Sequence, residues 1–205
     1  MLITRGFKGR GLPEGDHADR VPPGQHVEED FPVLTAGPTP RTPLDQWTLA
    51  LQQGGRLLAK WSWAEFGALP QTEIKTDIHC VTKWTKLDTR WRGVSFDDLL
   101  QAAGPEVAPS DFLLAHCDGG YTTNVPVADL IDGKAMVATH FDGEPLTPAH
   151  GGPARLLVPH LYFWKSAKWV RRLHFIETNE PGFWESLGYH IRGDPWREQR
   201  YAGDA

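Results

Sequence analysis

The sequence predicts an α+β fold of mixed sheets with short helices. Three observations lead there. Segments with strand patterning outnumber those with helical patterning. The helical segments are short and bracketed by capping and breaking residues. Strands and helices also fail to alternate regularly, which argues against a doubly wound parallel sheet.

Residues 1–30 are rich in Gly, Pro, Arg, Asp and His and poor in apolar side chains. They predict a flexible N-terminal arm, mobile or draped over a surface, ahead of one domain over 31–205. Phe31, Pro32, Val33 and Leu34 are the first apolar cluster, and Gly37, Pro38, Pro40 and Pro43 turn the chain behind it. Alternating Trp47, Leu49 and Leu51 predict a strand over 45–51, closed by Gln53-Gly54-Gly55. Ser62-Trp63-Ala64-Glu65 is a capping box that opens a short helix ended by Gly67 and Pro70. Alternating Ile74, Thr76 and Ile78 predict a strand over 73–80, followed by a polar, aromatic-rich loop over 84–92.

Ser95 is a good N-cap for a helix over 96–103, stopped by Gly104-Pro105. Residues 111–117 form a buried-strand candidate, and Asp118-Gly119-Gly120 turns the chain toward Tyr121, Thr122 and Asn124. Pro126 starts a short helix through Ile131. Strands are predicted over 135–141, 155–158 and 170–178, with Pro145 and Pro148 keeping the intervening loop extended. The tail over 181–201, carrying Trp184, Tyr189 and Trp196, is expected to wrap the domain.

Composition narrows the function. The 205-residue chain carries a formal charge of -5, which argues against nucleic acid as the main partner. No apolar window of about 18 residues exists to span a membrane, and the first thirty residues lack the apolar core of a secretory signal. Two cysteines make no disulfide framework, so a reduced, cytoplasmic setting is the simpler expectation.

Two features carry chemistry. Cys80 ends a predicted strand at the mouth of a loop, beside His79 and Lys83, where a thiol can become a thiolate and a metal ligand. A lone strand cysteine also reads as a small buried hydrophobe, or as a nucleophile with His79, His116, His150 or His160 as base. Zinc is disfavoured, since neither a Cys-x-x-Cys nor a His-x-x-x-His pair occurs. The second feature is the stretch from His150 to Ile176, which has no Asp or Glu yet holds Arg155, Lys165, Lys168, Arg171 and Arg172. In an acidic protein it reads either as an anion site, with Gly151-Gly152 admitting a close approach, or as a solvated basic face.

The run His79-Cys80-Val81-Thr82-Lys83-Trp84-Thr85, followed by Trp91-Arg92-Gly93-Val94, resembles the cysteine motif of the sulfite oxidase superfamily of molybdenum enzymes. His150-Gly151-Gly152-Pro153-Ala154-Arg155 through Pro159, with Tyr162, Lys165 and Lys168-Trp169, resembles that family's segment for the pterin phosphate. The resemblance spans about residues 31–201 and is nearest to the small bacterial sulfite oxidase-like oxidoreductases, including the methionine sulfoxide reductase catalytic subunit.

The resemblance implies a molybdopterin cofactor whose molybdenum takes Cys80 as its one protein ligand. It implies that Arg155 and Lys168 hold the pterin phosphate, with backbone groups of Ser166 and Ala167. It places His150 against the pterin, Phe31, Pro32 and Val33 in a loop over the cofactor, and Cys117 near a further contact. Thr82 flanks the ligand, and Lys83 and His79 face the substrate or support the metal. The implied activity is oxygen-atom or two-electron transfer on a small sulfite-, sulfoxide- or N-oxide-like substrate, with an unidentified electron partner. A non-catalytic molybdopterin carrier is the alternative.

Three departures from the family refine this. Lys83-Trp84 stand where sulfite oxidases carry an arginine, which counts against sulfite. The eukaryotic dimerisation domain and a twin-arginine signal are missing, so the expectation is a cytoplasmic monomer.

Overall fold

A computed structural model describes residues 17–205 apart from 106 and 108. In chain order the strands and α-helices are β1 (His26–Val27), β2 (Thr48–Gln53), β3 (Arg56–Ser62), α1 (Trp63–Ala68), β4 (Thr72–His79), β5 (Trp84–Ser95) and α2 (Phe96–Ala103). There follow β6 (Phe112–Cys117), β7 (Thr122–Pro126), β8 (Met136–Phe141), β9 (Glu144–Pro145), β10 (Arg155–Leu157), β11 (Val170–Ile176) and α3 (Phe183–Ser186). They build two mixed sheets with few short helices, the α+β class expected.

One sheet has five strands in the order β3-β2-β11-β6-β7, with β11 parallel to β2 and the other pairs antiparallel. The other has six and centres on β5, which pairs antiparallel with β4 and β8 and parallel with β1. A large core cluster packs Trp47, Leu49, Phe66, Phe96, Leu113 and Phe175 around the five-stranded sheet. A second cluster, of Ile78, Cys80, Trp84, Trp91, Tyr162, Phe163 and Trp164, packs around the Cys80 turn. Each such side chain contributes roughly 1.5–3 kcal/mol by leaving water.

Both helix starts follow from their caps. Ser62 accepts from the Glu65 N–H while the Glu65 carboxylate accepts from the Ser62 N–H, closing the capping box of α1. Ser95 accepts from the Asp98 N–H at 3.0 Å to start α2, which ends at Gly104 as its sequence requires.

The loop expected over 84–92 is instead most of the longest strand. Charged Lys86, Asp88, Arg90 and Arg92 alternate with buried Thr85, Thr89, Trp91 and Gly93, a two-residue period that puts the charges on the outer face. Gly93 is where β8 comes closest, since a Cβ there would sit 2.1 Å from the Val137 carbonyl oxygen. Strands β3 and β7 were not expected either. The segment after Pro126 makes only a single 3₁₀ turn, Val127–Asp129, rather than a helix through Ile131.

The arm expected over 1–30 falls in two parts. Residues 1–16 lie outside the described residues, and from Arg20 the chain docks on the domain. Arg20 forks onto Asp77 at 2.6 and 2.9 Å, Val21 is buried, and β1 pairs with Trp84 and Thr85 at the start of β5. The tail wraps the domain, with Tyr189 bridging Tyr201 and Glu185 buried against Lys165. No helix among the described residues is long and apolar enough to cross a membrane.

Candidate active site

Between β4 and β5 the chain reverses through Cys80-Val81-Thr82-Lys83. The Lys83 N–H donates to the Cys80 carbonyl at 3.0 Å, and the Cys80 N–H donates to the Trp84 carbonyl at 2.8 Å. Lys83 takes the left-handed conformation (φ 79°) that such a turn demands. The turn is held from behind by both ends of the described chain. Gln25 Nε2 donates to the Cys80 carbonyl at 3.0 Å, and Arg200 Nη1 donates to the Val81 carbonyl at 2.6 Å.

Cys80 is buried, 7% exposed, and lines a cavity of about 450 Å³. Its Sγ accepts from Thr82 Oγ1 at 3.1 Å. Burial is the largest influence on the thiol and pushes its pKa up, against the thiolate expected from its neighbours. Without an added cation, the group is a protonated thiol at neutral pH. Cys117 is likewise a free buried thiol pushed up by burial, and among the described residues no group of three or more His, Cys, Asp or Glu is placed to hold a metal ion.

Two cations line the same cavity. Arg155, on β10, is 1% exposed. It donates to the His150 carbonyl at 2.8 Å and the Ser166 carbonyl at 2.5 Å, and its guanidinium lies 4.2 Å from the Phe163 ring centroid. Its buried Nε–H has no partner. Lys168 donates to the carbonyls of Leu34 at 2.7 Å and Ala149 at 2.8 Å. Burial holds Arg155 down to about 9, and burial together with the Arg155 charge holds Lys168 down to about 8. Two desolvated cations in one cavity favour an anion.

A loop over 31–38 closes one side of the cavity. Phe31 stacks on His150 with ring centroids 4.2 Å apart, and its carbonyl accepts from His150 Nε2 at 3.0 Å. The 3₁₀ turn Asp118–Gly120, Tyr121 and the tail residues Phe183, Trp184 and Tyr189 complete the walls.

Cys80, Thr82, Phe31, Pro32, His150, Arg155, Ser166, Ala167 and Lys168 therefore share one cavity. His79, Lys83, Val33 and Cys117 are not among the residues that line it. His79 turns into the protein, where its Nδ1 meets Thr85 Oγ1 at 2.9 Å and burial holds its pKa down to about 4. Val33 is 48% exposed.

The Gly151 and Gly152 N–H groups, expected to face an anion, are spent on the carbonyls of Pro148 and Thr147 at 3.1 and 2.9 Å. The glycines serve the backbone instead. Gly151 has a φ of 104°, and a Cβ on Gly152 would lie 2.0 Å from the Leu146 carbonyl oxygen. The Ser166 N–H is likewise bonded, to the Phe163 carbonyl at 3.1 Å. Lys165, in the acid-free stretch, pairs with Glu185 at 2.6 Å with both side chains fully buried, and Arg171 pairs with Asp118.

Sequence reading missed Tyr121, Trp164, Trp184 and Tyr189 as cavity walls, although the aromatic richness of the tail was a signal. For Gln25 and Arg200 no local signal existed.

Comparisons with known proteins show the family of the chain. A family model for the oxidoreductase molybdopterin binding domain matches residues 36–184. The chain is 44% identical over 195 residues to the uncharacterized oxidoreductase YuiH of Bacillus subtilis (strain 168), covering 93% of this chain and 96% of that protein. It is 26% identical over 152 residues to a putative protein-methionine-sulfoxide reductase subunit, YedZ1, of Azospira oryzae, covering 73% of this chain and 57% of the relative. Among solved structures, the sulfane dehydrogenase SoxCD from Paracoccus pantotrophus superposes with a TM-score of 0.58 at 23% identity. That match covers 68% of this chain and 40% of the other, and it shows the shared fold.

Proposed function

We propose, for a chain that belongs to the oxidoreductase molybdopterin-binding domain family, that it is a molybdenum oxidoreductase of the sulfite oxidase type. Its substrate is a small oxidised or oxidisable molecule, and Cys80 is the single protein ligand of the metal. What supports this reading most is that Cys80, Arg155 and Lys168 line one cavity although they lie far apart in sequence.

The residues present fit the cofactor. It carries a phosphate, and the cavity that Cys80 lines has a buried, unpartnered Arg155 Nε–H and two cations held below their ordinary pKa by burial. Arg155 and Lys168 would hold the phosphate, Phe31 and His150 would pack beside the pterin, and Cys80 would hold the metal. When bound, a molybdenum on molybdopterin supplies two-electron oxygen-atom transfer.

The protein's own part is binding, orientation and exclusion of water. Cys80 gives up its proton on ligation, since the thiolate is the ligand. Thr82 Oγ1, already donating to the sulfur, stabilises that charge. The loop over 31–38 and the aromatic tail limit solvent access.

Protein made in a molybdopterin-competent host is expected to hold molybdenum close to one per chain. Cys80→Ser should keep the fold and lose turnover. A chain without molybdenum, or full turnover by Cys80→Ser, contradicts the assignment.

A further inference from the structure

We propose that the tail loop over 190–193 is an acid-released latch on the back of the cavity wall, with the His190 imidazole as its proton-sensitive catch. The latch is built from the chain's own groups and needs no metal.

The catch is a ring nitrogen used as an acceptor. His190 Nδ1 accepts from the backbone N–H of Arg192 at 3.1 Å and from that of Gly193 at 3.0 Å. A backbone N–H only donates, so Nδ1 carries no proton and the ring is neutral in this arrangement. A proton on Nδ1 would set three N–H groups against one another and leave both backbone donors without an acceptor.

The loop shaped by this catch is wedged against the wall. The Gly193 carbonyl accepts from the Tyr162 N–H at 2.7 Å, and a Cβ on Gly193 would lie 2.7 Å from Trp164 Cζ2. The Ile191 carbonyl accepts from Lys165 Nζ at 2.7 Å and from Asn124 Nδ2 at 3.1 Å. The backbone N–H of His190 donates to the carbonyl of Arg200, the residue that holds the Cys80 turn, at 3.1 Å. Trp164, against Gly193, and Tyr189, next to His190 in the chain, both line the cavity.

The groups around the ring mostly oppose its protonation. Lys165, Arg192 and Arg197 disfavour a positive ring, and Asp204 favours one. Arg192 is itself forked onto Asp129, which also meets His160 Nε2 at 3.2 Å. Burial is the largest influence and, with the cations, holds the ring below the ordinary histidine value. Once the loop is released, the ring meets water and regains a pKa of about 6.5. Opening therefore takes up a proton. It is constant above about pH 6.5 and rises by up to about tenfold per unit below it.

Amide hydrogen exchange of the full chain tests this, comparing wild type, His190→Asn and His190→Ala at pH 7.5 and 5.5. Asparagine places a side-chain oxygen where Nδ1 stands, and that oxygen accepts backbone N–H bonds without titrating. Comparing proteins at one pH cancels the intrinsic pH dependence of exchange. Relative to His190→Asn, wild-type protection over 190–193 and at the Tyr162 amide should fall by up to about tenfold between pH 7.5 and 5.5. His190→Ala should be less protected than His190→Asn at both pH values, by a constant factor. Acrylamide quenching of tryptophan fluorescence should rise at pH 5.5 in wild type and stay level in His190→Asn.

An acid step of the same size in His190→Asn assigns it to another group, such as His160, and overturns the catch. Equal protection of wild type at both pH values overturns it as well. Loop opening without a rise in quenching overturns the link to the cavity wall. Nitrogen NMR of the wild-type ring decides the matter without a variant: an Nε2–H tautomer at pH 7.5 is expected, and an Nδ1–H or charged ring there contradicts the latch.

Discussion

Arg200 Nη1 donates to the Val81 carbonyl at 2.6 Å, so a residue five positions before Ala205 holds the turn that carries Cys80. Its Nη2 reaches the Pro23 carbonyl at 3.4 Å, joining tail and N-terminal strap at the same point. Arg200→Met removes a charged donor from a buried carbonyl and should cost about 2–3 kcal/mol. Urea unfolding would show the lower midpoint, and the protein should lose molybdenum on dialysis faster than wild type. Unchanged midpoint and metal retention would show that the turn is self-supporting.

Lys165 and Glu185 form a fully buried ion pair, which Thr123 and Trp164 complete by donating to the same carboxylate. Glu185→Ala strands the lysine charge and should cost about 3–5 kcal/mol. The double variant Lys165→Met/Glu185→Met should recover much of this, read by thermal or urea unfolding of both proteins.

Phosphate binding should depend on pH through Lys168. Burial and Arg155 depress its folded pKa from 10.5 to about 8, so below that pH it is a cation and above it a neutral amine. Measured relative to Lys168→Met, which shares the phosphate's own ionisation, affinity for inorganic phosphate should be constant below about pH 8 and fall by up to about tenfold per unit above it. Arg155, held to about 9, keeps its charge over most of that fall. Calorimetry of both proteins in buffers across the range would show the break in their difference, with Lys168→Met binding phosphate more weakly below about pH 8.

Gly93→Ala should weaken the β5–β8 pairing, because the new methyl would meet the Val137 carbonyl oxygen at 2.1 Å. A loss of about 1–3 kcal/mol is expected, measured as a lower unfolding midpoint with a largely unchanged far-ultraviolet spectrum.

Much of the fold is written in local signals. Ser62 and Ser95 announce α1 and α2 through caps that need only the next three residues. An apolar run in 112–115 marks β6, and alternation in 170–176 marks β11. Strand β5 was hidden because its outer face is charged, so polarity outweighed the period on which the burial of Trp91 depends. The site was half legible. Cys80, Arg155 and Lys168 stood out by residue type and local charge, and each lines the cavity. Gln25, Arg200 and Glu185 act over 55, 119 and 62 positions respectively, on Cys80, Val81 and Thr123, and no local pattern encodes such pairings. His79 and Lys83 lie close to Cys80 in sequence, yet neither is among the residues that line the cavity.

The central claim is that the Cys80 sulfur is bound to molybdenum. X-ray absorption at the molybdenum edge tests it most directly, comparing wild type with Cys80→Ser at matched metal loading. The account predicts one sulfur neighbour fewer in the variant; identical sulfur counts in the two proteins would contradict it.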